Sequence, residues 1–447
     1  MGRIVILGGG ISGYGSAVLS KKQGFDTFVS DSGTIAEKYA EIFRRWDIPF
    51  EQGGHTMEKI LSADTVIKSP GIPDKAPVIK ALREKGTPVI SEMEFASRYT
   101  SAKTICITGS NGKTTTTTLT HKILCDAGMD AALGGNIGES FAYSVATSHH
   151  DWYVLELSSF QLDGMFDFRA DTAVLMNITP DHLDRYNYCF QNYADSKMRI
   201  TRNQRREDAF IYCADDKTTL EQIAKTTLEQ TLLPFTSSEN KEAAAWMDKQ
   251  DIYAAFGGKS VRIPVSEMKI KGIHNCYNTM AAALAALTAG VEPESIRRSI
   301  LSFGGVEHRL EKVCEVGGVE FINDSKATNV DSVWYALESM TRPTVWIAGG
   351  TDKGNDYAPL MEFAKRKVKT LVCMGINNEK LTHDFRGIIP QIYSTHSLDE
   401  AMRMAVKSAG EGDTVLLSPA CASFDLFKNY EHRGEEFKRW IKENIKK

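Results

Sequence analysis

Short runs of β-branched and aliphatic residues recur along the chain, separated by longer stretches whose apolar positions return at helical spacing. That alternation predicts parallel α/β sheets. In the first segment, RIVILG (3–8), DTFVSD (26–31), TVIKSPG (65–71) and TPVIS (87–91) predict strands. A second segment opens with TICITG (104–109) and continues through DWYVLELSS (151–159), TAVLMNIT (172–179) and AFIYCAD (209–215). Its last helix is expected in NTMAAALAALTAG (278–290), closed by Gly290 as a C-cap. SFGGVEHRL (302–310) reads as a linker into a third segment. There the strands are VEFIND (319–324), PTVWIAGG (343–350), TLVCMG (370–375) and DTVLLSP (413–419), followed by a charged helix at 434–447. The expected boundaries are 1–94, 95–301 and 302–447, and 447 residues suit about three domains.

Composition narrows the function classes. Hydrophobic residues make up 42% and charged residues 25%, as in an ordinary globular protein. A net charge of −4 supplies no basic surface for nucleic acid. The eight cysteines contain no C-x-x-C pair, which speaks against a zinc site or disulfide framework and for a reducing compartment. The chain opens directly on a strand-like run, and no apolar run has the length of a membrane span, so a cytoplasmic location is expected.

Candidate chemistry collects at strand ends. Gly8, Gly10 and Gly13 fit G-x-G-x-x-G after a strand, and Asp31 ends the next strand, the pattern of a dinucleotide fold. The same glycines serve equally as a plain βα turn, and they do not say which nucleotide binds. In GSNGKT, Gly109 and Gly112 enclose only Ser110 and Asn111, shorter than the common phosphate loop. Backbone N–H groups from Gly109 to Gly112 would cradle phosphate, Lys113 would reach the terminal phosphates, and Thr114 would hold Mg²⁺. A bland turn has no need of Lys-Thr next. Of the threonines at 114–118, only the first one or two face phosphate; Thr116 to Thr118 are expected to be structural. Glu156 ends an apolar strand, where a metal-binding acid would serve the same ion as Thr114, although a solvated strand-end glutamate fits as well. His182 follows the next strand at the same edge. Lys197 reads as an ordinary helix lysine. Arg309, Asp324, Lys326, Thr328, Asn329, Lys353 and Asp356 fall in loops of the third segment; such loops are usually turns, but two present a lysine for carboxylate or phosphate.

Taken in order, GSNGKTTT, GGNIG, ELSSFQL, DHLDRY, HNCYN, VEHRLE, NDSKATN, GGTDKG and SPACASFD resemble the motifs of the Mur ligases, over the whole chain. NDSKATN with SPACASFD resembles the D-glutamate-adding member, against sister ligases that add other amino acids. The resemblance implies an N-terminal Rossmann-like UDP-binding domain, a central P-loop ATPase domain and a C-terminal Rossmann-like domain. It implies that ATP phosphorylates the carboxylate of UDP-N-acetylmuramoyl-L-alanine and that D-glutamate attacks the acyl phosphate, in cytoplasmic peptidoglycan precursor synthesis.

Residue by residue, the resemblance implies ATP contacts from Gly109, Ser110, Asn111, Gly112, Lys113, Thr114, Thr115, Asn275, Asn278, Arg309 and Asp324. Thr114 and Glu156 would hold one Mg²⁺, and His182 with Lys197, carbamylated by CO₂, a second. Gly10, Ile11, Ser12, Gly13, Asp31, Ser32 and the SPGI run from Ser69 to Ile72, Gly71 among them, would bind the UDP-sugar, with Asn136, Ser158, Gln161 and His182 at its muramoyl-alanine end. Lys326, Thr328, Lys353, Ser423 and Tyr430 would take D-glutamate; Lys113, His182, Lys197, Arg309 and Lys326 would be catalytic. Two positions depart from the pattern: Ser12 stands where threonine is common, and Tyr430 where phenylalanine is. A monomer is expected. An NAD-dependent oxidoreductase, resting on Gly8, Gly10, Gly13 and Asp31, leaves Lys113, Thr114 and Glu156 idle. A non-catalytic nucleotide-binding module leaves the set of Lys113, Glu156, His182 and Lys197 without purpose.

Overall fold

The computed structural model describes residues 2–352 and 354–445. The chain separates into two compact units, 1–268 with 276–302 and 269–275 with 303–447. Three sheets carry the fold, two of them in the first unit.

Arg3–Leu7 is the centre of a five-stranded sheet, because its IVIL run is apolar on both faces and is buried there. Its neighbours in space are Phe50–Gln52, Asp26–Asp31, then Arg3–Leu7 itself, Thr65–Lys68 and Val89–Ile90, all parallel. Helix Ile11–Lys22 leaves the glycine turn and packs toward helices Glu92–Ser97 and Phe141–Thr147. The approach is close: a Cβ on Gly15 would stand 1.8 Å from Ser140 Oγ. One apolar core therefore runs from Ile4, Ile6 and Val29 through Met93 and Phe95 to Phe141, Leu155 and Phe210. Inside it the carboxylate of Glu92 accepts from Ser140 Oγ and, at 3.1 Å, from Ala142 N. Burial pushes that carboxyl up to about 6, against hydrogen bonds from Ser140, Ser12 and Ala142.

The second sheet of this unit has nine strands. Lys103–Thr108 lies between Trp152–Glu156, with Ala131–Gly135 beyond it, and Thr172–Leu175, followed outward by Ala209–Cys213 and Thr231–Thr236. Parallel pairing continues to Ala245–Met247. The last two strands, Asp251–Phe256 and Lys259–Pro264, then pair antiparallel, so the expected parallel sheet carries an antiparallel edge. Strand runs such as TLLPFT and AWM are short or carry a proline, which hides them from periodicity. The expected helix at 278–290 begins earlier, at Ile273, and ends at Thr288. Gly290 takes φ +86°; its N–H reaches Leu287 O and Val291 N–H reaches Ala286 O, a Schellman stop. It is not the last helix of its segment, because Pro293–Ser302 follows.

The second unit holds a six-stranded sheet in the order Glu311–Val316, Val319–Asn323, Thr414–Leu417, Thr344–Ala348, Val368–Met374 and Gln391–Thr395. Only the hairpin of the first two is antiparallel. Apolar layers cover both faces: Trp346, Leu371 and Leu416 on one, Val345, Val372 and Phe437 on the other. The closing helix, Tyr430–Asn444, starts four residues before the expected 434, because Asn429 caps it by accepting from His432 N. Among the described residues, no helix is long and apolar enough to cross a membrane.

Candidate active site

Lys103–Thr108 is where the chain changes direction in the nine-stranded sheet, and the crevice beyond the strand ends is where ligands bind in such sheets. GSNGKT sits there. Gly109 at φ +147° and Gly112 at φ +86° take backbone conformations closed to other residues, and a Cβ on Gly109 would meet Met176 Cβ at 2.8 Å. Asn177, which the sequence reading passed over, staples the loop. It accepts from Asn111 N through Oδ1 at 2.8 Å, donates to Asn111 O at 3.2 Å, and takes Ser110 N on its own carbonyl at 2.9 Å. Two of the four N–H groups expected to cradle phosphate are therefore engaged by Asn177. Helix Lys113–Asp126 starts from Gly112 without a side-chain cap, an arrangement whose first-turn N–H groups can take an anion. Lys113 Nζ lies folded over the loop, donating to Gly109 O at 2.7 Å and Ser110 O at 2.8 Å. Thr114 and Thr115 are buried in the first turn. Thr116 donates to Asn278 Oδ1 at 3.2 Å and Thr117 to Lys113 O at 2.8 Å, both structural. Asn278 packs over the loop itself: a Cβ on Gly112 would meet its Oδ1 at 2.5 Å.

Lys197, featureless in sequence, is only 2% exposed. Its Nζ donates to Gly109 O at 2.9 Å and Thr108 Oγ1 at 3.2 Å, and lies 5.2 Å from the centre of the Tyr193 ring. Burial drives its pKa well below the ordinary lysine value, and the Lys113 cation pushes the same way; Asp181, Glu156 and Asp163 oppose. Lys113 and Lys197 thus share the Gly109 carbonyl. Glu156 is 1% exposed; its Oε1 accepts from Asn136 Nδ2 at 2.7 Å, while Oε2 has no hydrogen-bond partner. With the Thr114 hydroxyl, on the helix that packs against its strand, this buried, unsatisfied carboxylate oxygen offers a hard donor set of the kind Mg²⁺ takes. No group of three His, Cys, Asp or Glu able to hold a metal occurs among the described residues. The set therefore fits an ion that arrives with phosphate oxygens and water, rather than one caged by protein. His182 stands nearby in sequence from the same edge, at φ +52°, with Asp181 3.6 Å away and its ring 5.1 Å from Phe160. Ser158 and Gln161 form a capping box on helix Ser159–Leu162.

At the glycine turn, a Cβ on Gly13 would fall 1.9 Å from Gly8 O, whereas one on Gly10 would meet nothing. Helix Ile11–Lys22 again has no side-chain cap. Asp31 is turned inward: it accepts from Gly9 N at 2.7 Å and Gly33 N at 2.8 Å. Ile11 and Ser32 are exposed, and the Ser12 hydroxyl acts to lower the pKa of the buried Glu92. Gly71 has an open side where a Cβ would meet nothing.

In the second unit, Asp324 is buried and accepts from Ser418 Oγ at 2.7 Å and Leu310 N at 3.1 Å. Burial pushes its carboxyl up to about 7, against Ser418 and the charge of Arg309. Asn275 donates to Lys271 O at 2.8 Å. Lys326 Nζ lies 5.4 Å from the centre of the Tyr430 ring. Thr328 N–H turns back to Lys326 O, and Ser423 is buried. Arg433, a fully buried cation the sequence reading did not single out, ties these loops together through Ser325 O at 2.8 Å, Ser325 Oγ at 3.0 Å and Cys421 O at 3.3 Å. Lys353 lies outside the described residues; Asp356 accepts from Ala358 N at 3.0 Å.

Residues 2–91 match the model of the Mur ligase MurD-like N-terminal domain, 107–286 that of the Mur ligase middle domain, and 308–421 that of the Mur ligase glutamate ligase domain. The UDP-N-acetylmuramoylalanine–D-glutamate ligase of Bacteroides fragilis is 53% identical over 445 residues, covering 99% of this chain and 100% of that protein. The proteins of the same name from Porphyromonas gingivalis (51%, 98% of each chain) and Salinibacter ruber (40%, 98% of this chain and 97% of that one) are also similar. Among solved structures, the UDP-N-acetylmuramate–alanine ligase of Thermotoga maritima superposes with a TM-score of 0.63 at 18% identity, covering 99% of this chain and 100% of that one. MurF of Acinetobacter baumannii superposes at 0.62 and 16% identity, covering 95% and 98%. These two share the fold.

Proposed function

The chain belongs to the Mur ligase family, and from that premise we propose that it joins D-glutamate to UDP-N-acetylmuramoyl-L-alanine at the expense of ATP, forming ADP and phosphate. The observation that carries the chemistry is Glu156, whose buried Oε2 lacks a hydrogen-bond partner beside a phosphate loop. A carboxylate attacking the γ-phosphoryl of a polyanion needs positive charge between the two. Lys113, freed from the Gly109 and Ser110 carbonyls by the incoming phosphates, supplies one charge. Thr114 and Glu156 would hold one Mg²⁺ and His182 and Lys197 a second, and the ions would supply charge that screens the phosphate oxygens. The acyl phosphate is then attacked by the amine of D-glutamate, and phosphate leaves with the electron pair of the C–O bond. Lys326, Thr328, Lys353, Ser423 and Tyr430 would hold the amino acid, Lys326 and Lys353 answering its two carboxylates. Arg309, Asp324, Asn275 and Asn278 would complete the ATP site. Gly10, Ile11, Ser12, Gly13, Asp31, Ser32 and Gly71 would bind the UDP-sugar, with Asn136, Ser158, Gln161 and His182 at its alanyl end. The protein would work as a cytoplasmic monomer.

Lys197 would act as a carbamate. Burial favours the neutral amine, whose lone pair attacks the carbon of CO₂ with loss of one proton, and the product would keep one N–H for Gly109 O while adding an anionic oxygen for the metal. Protein equilibrated with ¹³C-bicarbonate should show a carbamate resonance in NMR that Lys197→Arg lacks; identical spectra would remove the assignment.

The function itself is tested by incubating the protein with ATP, UDP-N-acetylmuramoyl-L-alanine and one amino acid at a time. D-glutamate alone should drive ADP release and a product heavier by one glutamyl group. Release with a different amino acid would identify a sister ligase. Strong stabilisation by NADH without effect of the UDP-sugar would favour an oxidoreductase.

A further inference from the structure

Arg185 has no part in the reaction proposed above, yet it bridges Phe160 and the SPGI turn. It lies in DHLDRY, three residues after His182, and its guanidinium carbon stands 4.3 Å from the centre of the Phe160 ring. Phe160 in turn meets His182 edge-on at 5.1 Å and stacks on Tyr186 at 5.9 Å. From this platform the guanidinium reaches across to the first sheet's SPGI turn. Its Nη2 donates to Pro70 O at 3.3 Å and Ile72 O at 3.4 Å, and Nη1 to Gly71 O at 3.4 Å. Three successive carbonyls thus converge on one planar cation, a match to its fork of donors.

The consequence lies on the opposite side of the turn. In a trans peptide the C=O and the following N–H point in opposite directions. Holding Pro70 O toward Arg185 therefore aims Gly71 N–H away from it. Gly71 is open on its side-chain face, and the same turn abuts the nucleotide glycines: a Cβ on Gly8 would strike Ser69 Oγ at 2.4 Å. Ile72 N–H is retained by Ser69 O at 3.1 Å, which leaves Gly71 N–H as the donor presented outward.

We propose that Arg185 is a positioning residue for the sugar nucleotide: it orients the Gly71 peptide toward the anionic linker of that substrate and couples this orientation, through Phe160, to His182. The inference rests on the ligase reading above. Arg185→Ala frees the turn and removes the stack on Phe160. Arg185→Lys keeps the charge but offers a compact ammonium that meets one carbonyl and does not lie flat on the ring.

The test measures KM for each substrate, kcat, and direct calorimetric binding of UDP-N-acetylmuramoyl-L-alanine without ATP. Arg185→Ala should weaken binding of the UDP-sugar and raise its KM about tenfold, with the KM of D-glutamate unchanged, and Arg185→Lys should fall between it and the wild type. A purely structural role would move all three KM values together, or kcat alone, and either result overturns the proposal. Equal UDP-sugar affinity in Arg185→Ala and wild type overturns it while the ligase reading stands. A wild type that does not bind the UDP-sugar overturns both. If Arg185→Ala does not fold, the Arg185→Lys comparison decides by the same split.

Discussion

At the residue scale, charge in low-dielectric surroundings governs the chemistry. Lys113 is only partly buried, and Gly109 O keeps the Lys197 donor when the Lys113 ammonium is removed, so its loss opens no hole in a core. Lys113→Ala should therefore keep its melting temperature and lose about 10²-fold or more in kcat, the scale of losing a preorganised charge in the transition state. Near-normal ADP release from a folded variant would show that the cation is dispensable. Asp324 makes a prediction of opposite kind. Its carboxyl, raised to about 7 by burial, holds a proton in the folded state across a range where the unfolded chain, near the ordinary carboxylate value, has lost it. Between about pH 4 and 7 the folded state thus binds more protons, and this contribution to stability declines as pH rises. Asp324→Asn should flatten that decline; urea midpoints at the two ends of the range read it, and an unchanged slope counts against the assignment.

At the element scale, the helix that leaves the nucleotide turn shows how far a motif constrains its own glycines. Gly13 faces Gly8 O at a distance no Cβ tolerates, whereas Gly10 faces open space at φ −82°, allowed to any residue. Gly13→Ala should cost roughly 2 kcal/mol or more, since the backbone at both ends of the turn must shift. Gly10→Ala should stay within about 0.5 kcal/mol of wild type, yet lose the rise in melting temperature that UDP-N-acetylmuramoyl-L-alanine brings, because its methyl occupies the side from which the ligand approaches. Equal behaviour of the two variants in thermal shift would separate this turn from nucleotide binding. The G-x-G-x-x-G spacing was legible, but which glycine serves packing and which serves the ligand was not. That distinction depends on what stands opposite each one.

For the whole molecule, the metal is expected to be a passenger of the nucleotide. Glu156 brings one unsatisfied oxygen, and the described residues contain no group of three His, Cys, Asp or Glu able to hold a metal alone. Chelation with EDTA should abolish ADP formation and leave the melting temperature unchanged, with activity restored by Mg²⁺. A fall in melting temperature on chelation would reveal a structural ion instead.

Contiguous chemistry could be read without coordinates. The glycine turn, the shortened phosphate loop with Lys113 and Thr114, the loops at 323–329 and 349–354, and the alternation of strands and helices each lie within one short stretch. Backbone conformation and hydrogen bonding over a few residues impose such patterns locally. The short strands at 131–135 and 231–264 left weaker marks, since pairing with neighbours rather than their own periodicity holds them. Lys197 is the clearest case of what sequence could not supply. Its surroundings come from Thr108 and Gly109, 89 and 88 positions away, and only their approach turns a surface-like lysine into a buried amine of lowered pKa. The inward turn of Asp31, the staple from Asn177 and the reach of Arg185 to the SPGI turn are of the same kind. Desolvation and charge pairing are properties of a place in space, and the tertiary structure alone decides which residues share it.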